Sequence, residues 1–388
     1  VMVGRHYGAV DEFGRIHFVD MELERDITKS YDNRMRLVDP RTIKIYGNGG
    51  RMLPLLNSTP YPNDLEENAI QFIGEDDGVF DASDHILFYA EGVDTWNTES
   101  LTSVNLFSDK SYYYVTASSG TSKRIIPATE PSAAPTLTFT QFDDQLYYEK
   151  DLVNAGKVGR RWFGEQFNID DTQTFSFSIP NLDFSVPVQI KINTASKSFG
   201  NSSFNFKVNN QDLGTIAFPQ ITSSGGIEGL ESALNTTYTA SNTTLDFLLT
   251  YDNGGVPTSN GYLDFIRLKV KRNLIGFGKQ FQFSNDLEQT NIGVGQYTIS
   301  SATGISQIWD VTDLYNVTKY NNTTGATFSF KVNLGSPKKY VAIDPSDYYL
   351  PLKESSTTVV NQNIKGTIFK DNNGNFQDID YLIITPQF

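Results

Sequence analysis

The chain of 388 residues contains no cysteine. Disulfides, thiolate metal sites and a cysteine nucleophile are therefore excluded within it. Histidine is scarce: His6, His17 and His85 are the whole supply, and structural or solvated roles account for them more readily than catalysis does. No apolar run approaches the roughly 18 residues that a membrane-spanning helix needs. Basic charge is also short, with Lys+Arg 31 against Asp+Glu 45 and a net charge of -14. That balance argues against broad nucleic-acid binding, which needs a basic face, and against simple docking on an anionic membrane. The GxSxG, HExxH and Walker patterns are missing. No secretory leader is legible at Val1, so an exported parent would be represented here by a mature or trimmed segment.

Aromatic residues are plentiful, with Tyr 20 and Phe 27, and Thr, Ser and Asn abound. This mix favours strands joined by polar turns. Ile43 and Ile45 alternate with Lys44 and Tyr46, the period of a half-buried strand. Gly47-Asn48-Gly49-Gly50 stops that strand, because Gly and Asn tolerate the backbone of a tight turn. Ala69–Ile73, Ile86–Tyr89 and Tyr112–Val115 are further short apolar or aromatic strands. The Ser/Thr/Pro/Gly-rich stretch Ser118–Pro135 reads as a linker. Phe142–Glu165 is the best helix expectation in the chain, because Glu149–Asn154 lacks alternation, and Gly156 and Gly159 limit its length.

From Thr174 onward alternation is sustained. Phe175/Phe177/Ile179, Val188/Ile190/Ile192, Phe204/Phe206/Val208 and Phe328/Phe330/Val332 each present one apolar face. Ile266, Leu268 and Val270 alternate with Arg267, Lys269 and Lys271, which places three cations on one solvated face. Short strands at these intervals predict an all-β chain with tandem β domains, including a jelly-roll-type β-sandwich. The expected divisions are 1–130 for a β-rich domain, 136–345 for the sandwich, and 346–388 for a linker and one closing strand. That strand, Tyr381–Thr385, is apolar throughout, as a strand buried on both faces would be.

Two groups of residues invite chemistry. Glu75, Asp76, Asp77, Asp81 and Asp84 put five carboxylates into ten residues, which repel unless water or a cation screens them. Glu75, Asp77, Asp81 and Asp84 fall at positions three, five, nine and twelve of an EF-type loop, with Gly78 at six, and are candidate calcium ligands. Ile73 at position one cannot ligate, so a solvated acidic turn is the competing reading. Asp371, Asn373, Asn375, Asp378 and Asp380 form a second oxygen-rich cluster, with Gly374 misplaced for such a loop. Trp96, Trp162 and Trp309 are candidate sugar platforms, Trp96 the one expected to be exposed and Trp309 expected in the core.

The ordered set DPRTIKIYGNGG (39–50), GEDDGVFDASDHILFYAEG (74–92), NLFSDKSYYYVT (105–116), FDDQLYYEKDLVNAGKVGRRWFGEQF (142–167), GYLDFIRLKVKRNL (261–274), QIWDVTDLYNV (307–317) and DYLIITPQF (380–388) resembles the region before the protease domain of the type IX secretion sortases, gingipain-type cysteine peptidases of the cell surface. The resemblance implies that Tyr381–Thr385 opens an α/β (caspase/gingipain-like) domain. It also implies that the whole protein removes C-terminal signal domains from secreted cargo and joins the cargo to anionic lipopolysaccharide. Its implied place is the outer face of the bacterial outer membrane, held by a β-barrel shuttle protein (PorV-like). The catalytic Cys and His of such a peptidase would lie outside these residues, so this segment is expected to be a non-catalytic scaffold. The alternative is a stand-alone carbohydrate-binding or adhesin β-sandwich. A carboxylate-pair glycosidase is a weaker third reading.

Overall fold

The structure, a computed structural model, describes residues 4–8, 17–21, 39–56, 58–62, 64–81, 83–155, 161–222, 229–353 and 373–375. The expected closing strand Tyr381–Thr385, and most of the second oxygen-rich cluster, lie outside the described residues. In chain order the first strands are β1 (Gly4–Gly8), β2 (His17–Met21), β3 (Ile43–Tyr46), β4 (Glu67–Asn68), β5 (Ile70–Ile73), β6 (His85–Ala90), β7 (Ser111–Ala117), β8 (Ile126–Pro127) and β9 (Leu137–Phe139). Then come β10 (Gln141–Glu149), β11 (Gln166–Phe167), β12 (Thr172–Ser178), β13 (Val188–Lys197), β14 (Ser202–Val208), β15 (Gln211–Phe218), β16 (Leu230–Tyr238), β17 (Thr244–Asp252) and β18 (Asn260–Asn273). The last are β19 (Phe281–Phe283), the short helix α1 (Asp286–Thr290), β20 (Val294–Ile299), β21 (Gln307–Asp310), β22 (Thr318–Asn321), β23 (Phe328–Asn333), β24 (Tyr340–Ile343) and β25 (Leu352–Lys353).

These strands form six sheets, and four of the sheets stack. Sheet I runs β25-β1-β7-β3-β4, sheet II β2-β6-β5, sheet III β19-β24-β21-β22-β8 and sheet IV β23-β20-β9. The stacking results from strand alternation. On β6, Ile86, Phe88 and Ala90 join Ile43, Ile45 and Tyr113 in one core, between sheets I and II. The interleaved Leu87 and Tyr89 join Trp309, Val341 and Ile343 in another, between sheets II and III. On β21 and β24 the remaining positions, Ile308, Tyr340 and Ala342, pack with Tyr297, Phe330 and Val332 between sheets III and IV. Strands buried on both faces read as unbroken apolar runs, which is how HILFYA and YVAI appear.

Sheets V (β10-β18-β13-β16, with β11 on β18) and VI (β12-β17-β14-β15) face each other. Counted within this unit without the two-residue β11, first, eighth, third and sixth strands form one sheet and second, seventh, fourth and fifth the other, the order of a jelly roll. Its core is Phe167, Phe177, Phe204, Phe206, Phe247, Leu263, Ile266 and their neighbours, closed by edge-to-face pairs such as Phe167–Phe204 at 5.0 Å.

Two readings change. The jelly roll occupies 141–273, and the strands after it build a second sandwich, sheets III and IV, together with β8 and β9 from before it. The stretch 136–345 thus holds one sandwich nested in another, and β8 and buried Ile125 come from the segment read as a linker. Alternation alone cannot say which apolar faces share a core. The helix expected over Phe142–Glu165 is instead β10, paired with β18 from Gln141↔Asn273 to Glu149↔Phe265. β10 ends at Glu149, and the residues without alternation form the irregular segment after it, where Val153 bridges to Phe163. Within β10 the inward series includes Asp144, whose carboxylate takes Arg272 Nη1 at 2.7 Å.

Trp309 is fully buried between sheets II and III, and its indole N–H donates to Gln307 Oε1 at 2.8 Å. Trp309→Ala is expected to cost about 3–5 kcal/mol, the usual cost of removing a buried aromatic. Equilibrium denaturation of the two proteins measures it.

Candidate functional site

The acidic stretch forms a single 3-10 turn, Glu75–Asp77, between Gly74 (φ 99) and Gly78 (φ 74). Each candidate calcium ligand has a separate task. Glu75 takes the Arg124 guanidinium, with Nη2 at 2.6 Å and Nε at 3.0 Å from both oxygens. Asp77 Oδ1 accepts the Val79 N–H at 2.9 Å, and Asp81 Oδ1 accepts the Ser83 N–H and hydroxyl at 2.9 and 2.7 Å. Asp84 is buried, and its Oδ2 accepts the Asp81 N–H at 3.0 Å. A Cβ at Gly74 would lie 1.8 Å from Asp84 Oδ1, so that glycine is obligatory. Among the described residues no three carboxylate or imidazole groups converge as a metal-ligand set. Instead, these carboxylates close local turns and one ion pair. His85 is half-buried, with Nδ1 3.4 Å from the Ser83 carbonyl.

The glycine-rich turn and the end of β6 do meet. A Cβ on Gly50 would sit 2.5 Å from the Gly92 carbonyl carbon and oxygen, and one on Gly47 would sit 2.5 Å from Tyr113 Cδ1. Three asparagine side chains fasten the turn: Asn68 and Asn105 donate to the Gly47 and Gly50 carbonyls at 2.8 and 2.9 Å, and Asn48 accepts the Glu66 N–H at 3.0 Å. Beside it Glu91, almost fully buried, pairs with Arg51, and its N–H donates to the Tyr113 hydroxyl oxygen at 3.1 Å. Burial, and then the Glu91 charge, push the Tyr113 hydroxyl well above its usual range. Glu91 is a buried charge neutralised by a guanidinium, an arrangement that fixes geometry.

Trp96 is not the exposed platform expected. It is half-buried on the outer face of sheet V, stacked on Tyr147 (5.5 Å, 5°) and edge-on to Phe265 (5.2 Å), with the Arg267 guanidinium 4.8 Å over its ring. From the same loop, Ser103 N–H and Oγ donate to Glu149 Oε2 at 2.6 and 2.7 Å. The loop after β6 is thus clipped across the jelly roll. Nearby Asp264 is buried and accepts from Arg161 Nη2 at 2.7 Å and Asn193 Nδ2 at 2.6 Å. Burial raises the pKa of both Glu149 and Asp264. Trp162 alone of the three tryptophans keeps substantial exposure, 40%.

The sequence reading missed Glu288. It lies on α1, whose N-cap Asn285 accepts the Leu287 N–H at 3.0 Å, and nothing local marks it as buried. Yet it is fully buried between the Tyr297 and Tyr340 hydroxyls, which donate at 2.6 and 2.7 Å. Desolvation raises its pKa despite those two bonds. Close by, a cavity of about 370 Å³ opens between sheets III and IV, with the Asp310–Lys338 pair (3.2 Å) and Tyr320 in its wall.

No family model and no curated protein matches the chain. Among solved structures, dimeric latent PorU from Porphyromonas gingivalis matches at a TM-score of 0.74 and 19% identity, over 94% of this chain and 34% of that one. The chain therefore has the fold of part of PorU and spans about a third of that protein's length. A CBM36-1 domain of a xylanase from the Trinervitermes trinervoides hindgut metagenome aligns at 0.23 and 7% identity, over 32% of this chain and 95% of that one. The Bacillus thuringiensis endotoxin Cry8Ea1 also aligns at 0.23, at 12% identity, over 59% and 41%. Among the described residues no helix is long and apolar enough to cross a membrane.

The buried groups lead to two expected outcomes. A carboxyl whose folded pKa is raised gives stability that is complete below its unfolded pKa and is lost as pH rises through the folded one. Glu288→Gln does not titrate, so its melting temperature relative to the parent is expected to rise from pH 4 to pH 7.5 in thermal scans; a falling difference contradicts this. Gly50→Ala drives a methyl into the Gly92 backbone and is expected to cost about 1–3 kcal/mol, as overpacking does, by denaturant titration.

Proposed function

We propose that this chain is the non-catalytic β scaffold of a type IX secretion sortase, a surface cysteine peptidase whose catalytic residues lie outside the chain. One observation carries the reading: the fold agrees with part of PorU across 94% of the chain. Three of the motifs that carry the sequence resemblance, 39–50 with the glycine turn, 74–92 with β6 and 105–116 with most of β7, also lock together around Glu91. In this reading the parent protein sits at the outer face of the outer membrane on a PorV-like β-barrel partner. It removes C-terminal signal domains from cargo and joins the cargo to anionic lipopolysaccharide. The stacked sheets and the clipped jelly roll hold a fixed shape, as a domain that positions a protease requires.

The stand-alone glycan-module reading has less support. It needs several exposed aromatic platforms, and of the three tryptophans only Trp162 is exposed, since Trp309 is in the core and Trp96 is enclosed by Tyr147, Phe265 and Arg267.

The test uses the intact gene in its own cell. Deleting the codons for 141–273 in frame is expected to leave secreted cargo with its C-terminal signal domains and without lipopolysaccharide, on immunoblots of surface fractions. Normal processing in a strain whose shortened protein is present at wild-type level would overturn the scaffold reading.

A further inference from the structure

The loop after β6 meets sheet V across a seam crowded with carboxylates. Asp94 comes from the loop, Glu149 from the end of β10, Asp151 from the residues just after it, Glu231 from β16 and Asp264 from β18. Arg161 answers two of them, with Nη2 2.7 Å from both Glu231 Oε2 and Asp264 Oδ2. The neighbouring cations are engaged elsewhere: Lys150 lies 3.5 Å from Glu165, and Arg267 and Lys191 rest on the Trp96 and Phe265 rings. Among the described residues, Asp94, Glu149 and Asp151 form no ion pair.

The seat of the loop depends on these groups. Ser103 N–H and Oγ donate to Glu149 Oε2, and Asp94 Oδ1 accepts the Asn105 N–H at 3.1 Å. Burial raises the pKa of Glu149 against the pull of the Ser103 bonds, and the Asp264 charge adds to it. Asp151 is raised by lost water and by the Asp264 and Asp94 charges, with Arg161 opposing. Burial raises Asp264 too, against the Arg161 and Asn193 bonds. A raised carboxyl favours the seated form fully below its ordinary value, and that contribution is lost as pH rises through the raised one. Protonated Glu149 still accepts the Ser103 N–H through its second oxygen lone pairs. Ionised, Glu149, Asp151 and Asp94 repel one another and regain water when the loop lifts.

We propose that this seam is a pH-operated latch, which seats the loop carrying Trp96 and Ser103 on sheet V in mildly acid solution and releases it as the seam carboxyls ionise. The Trp96 stack on Tyr147 supplies attraction, and the carboxylates set its pH dependence. β6 itself stays in place, because both of its faces are held by apolar contacts. The latch rests on the clip and not on the scaffold reading. Its failure would leave the cargo-processing result untouched, and a failed cargo-processing result would leave the latch standing.

The test is acrylamide quenching of tryptophan fluorescence in the full chain carrying Trp162→Phe. The tryptophans left are Trp96 and the fully buried Trp309, which is shielded from the quencher. The quenching constant is expected to rise about twofold or more from pH 5 to pH 8, as the released population grows. Adding Glu149→Gln and Asp151→Asn, which keep shape and remove charge, is expected to hold it at the low value throughout. Adding Asp76→Asn, in the exposed acidic turn, is expected to leave the rise intact. Matching melting temperatures show that each variant folds. In the unsubstituted chain, deuterium exchange corrected for its intrinsic pH dependence is expected to increase over 94–105 and not over 86–90. Quenching that is flat or falls with pH, a rise that survives Glu149→Gln with Asp151→Asn, or exchange over 94–105 that does not change would overturn the proposal.

Discussion

Strand β6 is buried on both faces, and the arrangement of the first four sheets depends on it. Ile86, Phe88 and Ala90 close the core against sheet I, while Leu87 and Tyr89 close the core against sheet III. Fully burying one such side chain is worth about 1.5–3 kcal/mol. An exposed ion pair is worth about 0–1 kcal/mol, so the half-exposed Asp39–Arg41 pair contributes little beside this strand. Sheet III repeats the device with β21 and β24, which pack Ile308 and Ala342 one way and Trp309 and Val341 the other. Because a one-residue slip would exchange the two faces, the register of these strands is strongly specified.

The polar chemistry is subordinate to that stack. Glu91 follows β6 and is neutralised by Arg51 beside the glycine turn, where Gly50, lacking a Cβ, packs on the Gly92 backbone. Glu75 is used in the same way by Arg124, whose guanidinium also donates to the Pro40 and Arg41 carbonyls. Charged groups so engaged hold loops in place and are not poised for proton transfer. The clip of Trp96 and Ser103 across sheet V extends this to the jelly roll, tying it to the loop after β6. The exception is the row of Arg267 and Lys191 on sheet V, where like charges face each other without a carboxylate between them.

Much was legible before the fold was known. The alternating runs at Phe175, Val188, Phe204 and Ile266 are jelly-roll strands because one face of each meets the opposite sheet. Trp309 lies in the core as its apolar surroundings imply. The errors share one cause: they concern residues whose partners are far away in the chain. Phe142–Glu149 reads as helix with the irregular segment after it, because its pairing strand, β18, lies more than a hundred residues away. Trp96 looked like a loop tip because Tyr147 and Phe265 belong to another sheet. Glu75 in the acidic stretch is likewise engaged by Arg124, which lies beyond β7. Glu288 gave no signal, since an acidic residue after an Asn cap is what an exposed helix start also shows.

The sequence by itself determined that the chain is built of strands, where most of them lie and that no thiol chemistry occurs within it, because period-two alternation, turn residues and the lack of cysteine are local properties. Which apolar faces share a core, that one sandwich is nested in another, and which cations lack a carboxylate follow from the folded arrangement alone. Those outcomes depend on cross-strand register and on contacts between distant segments, and such contacts leave no mark in the local pattern of residues.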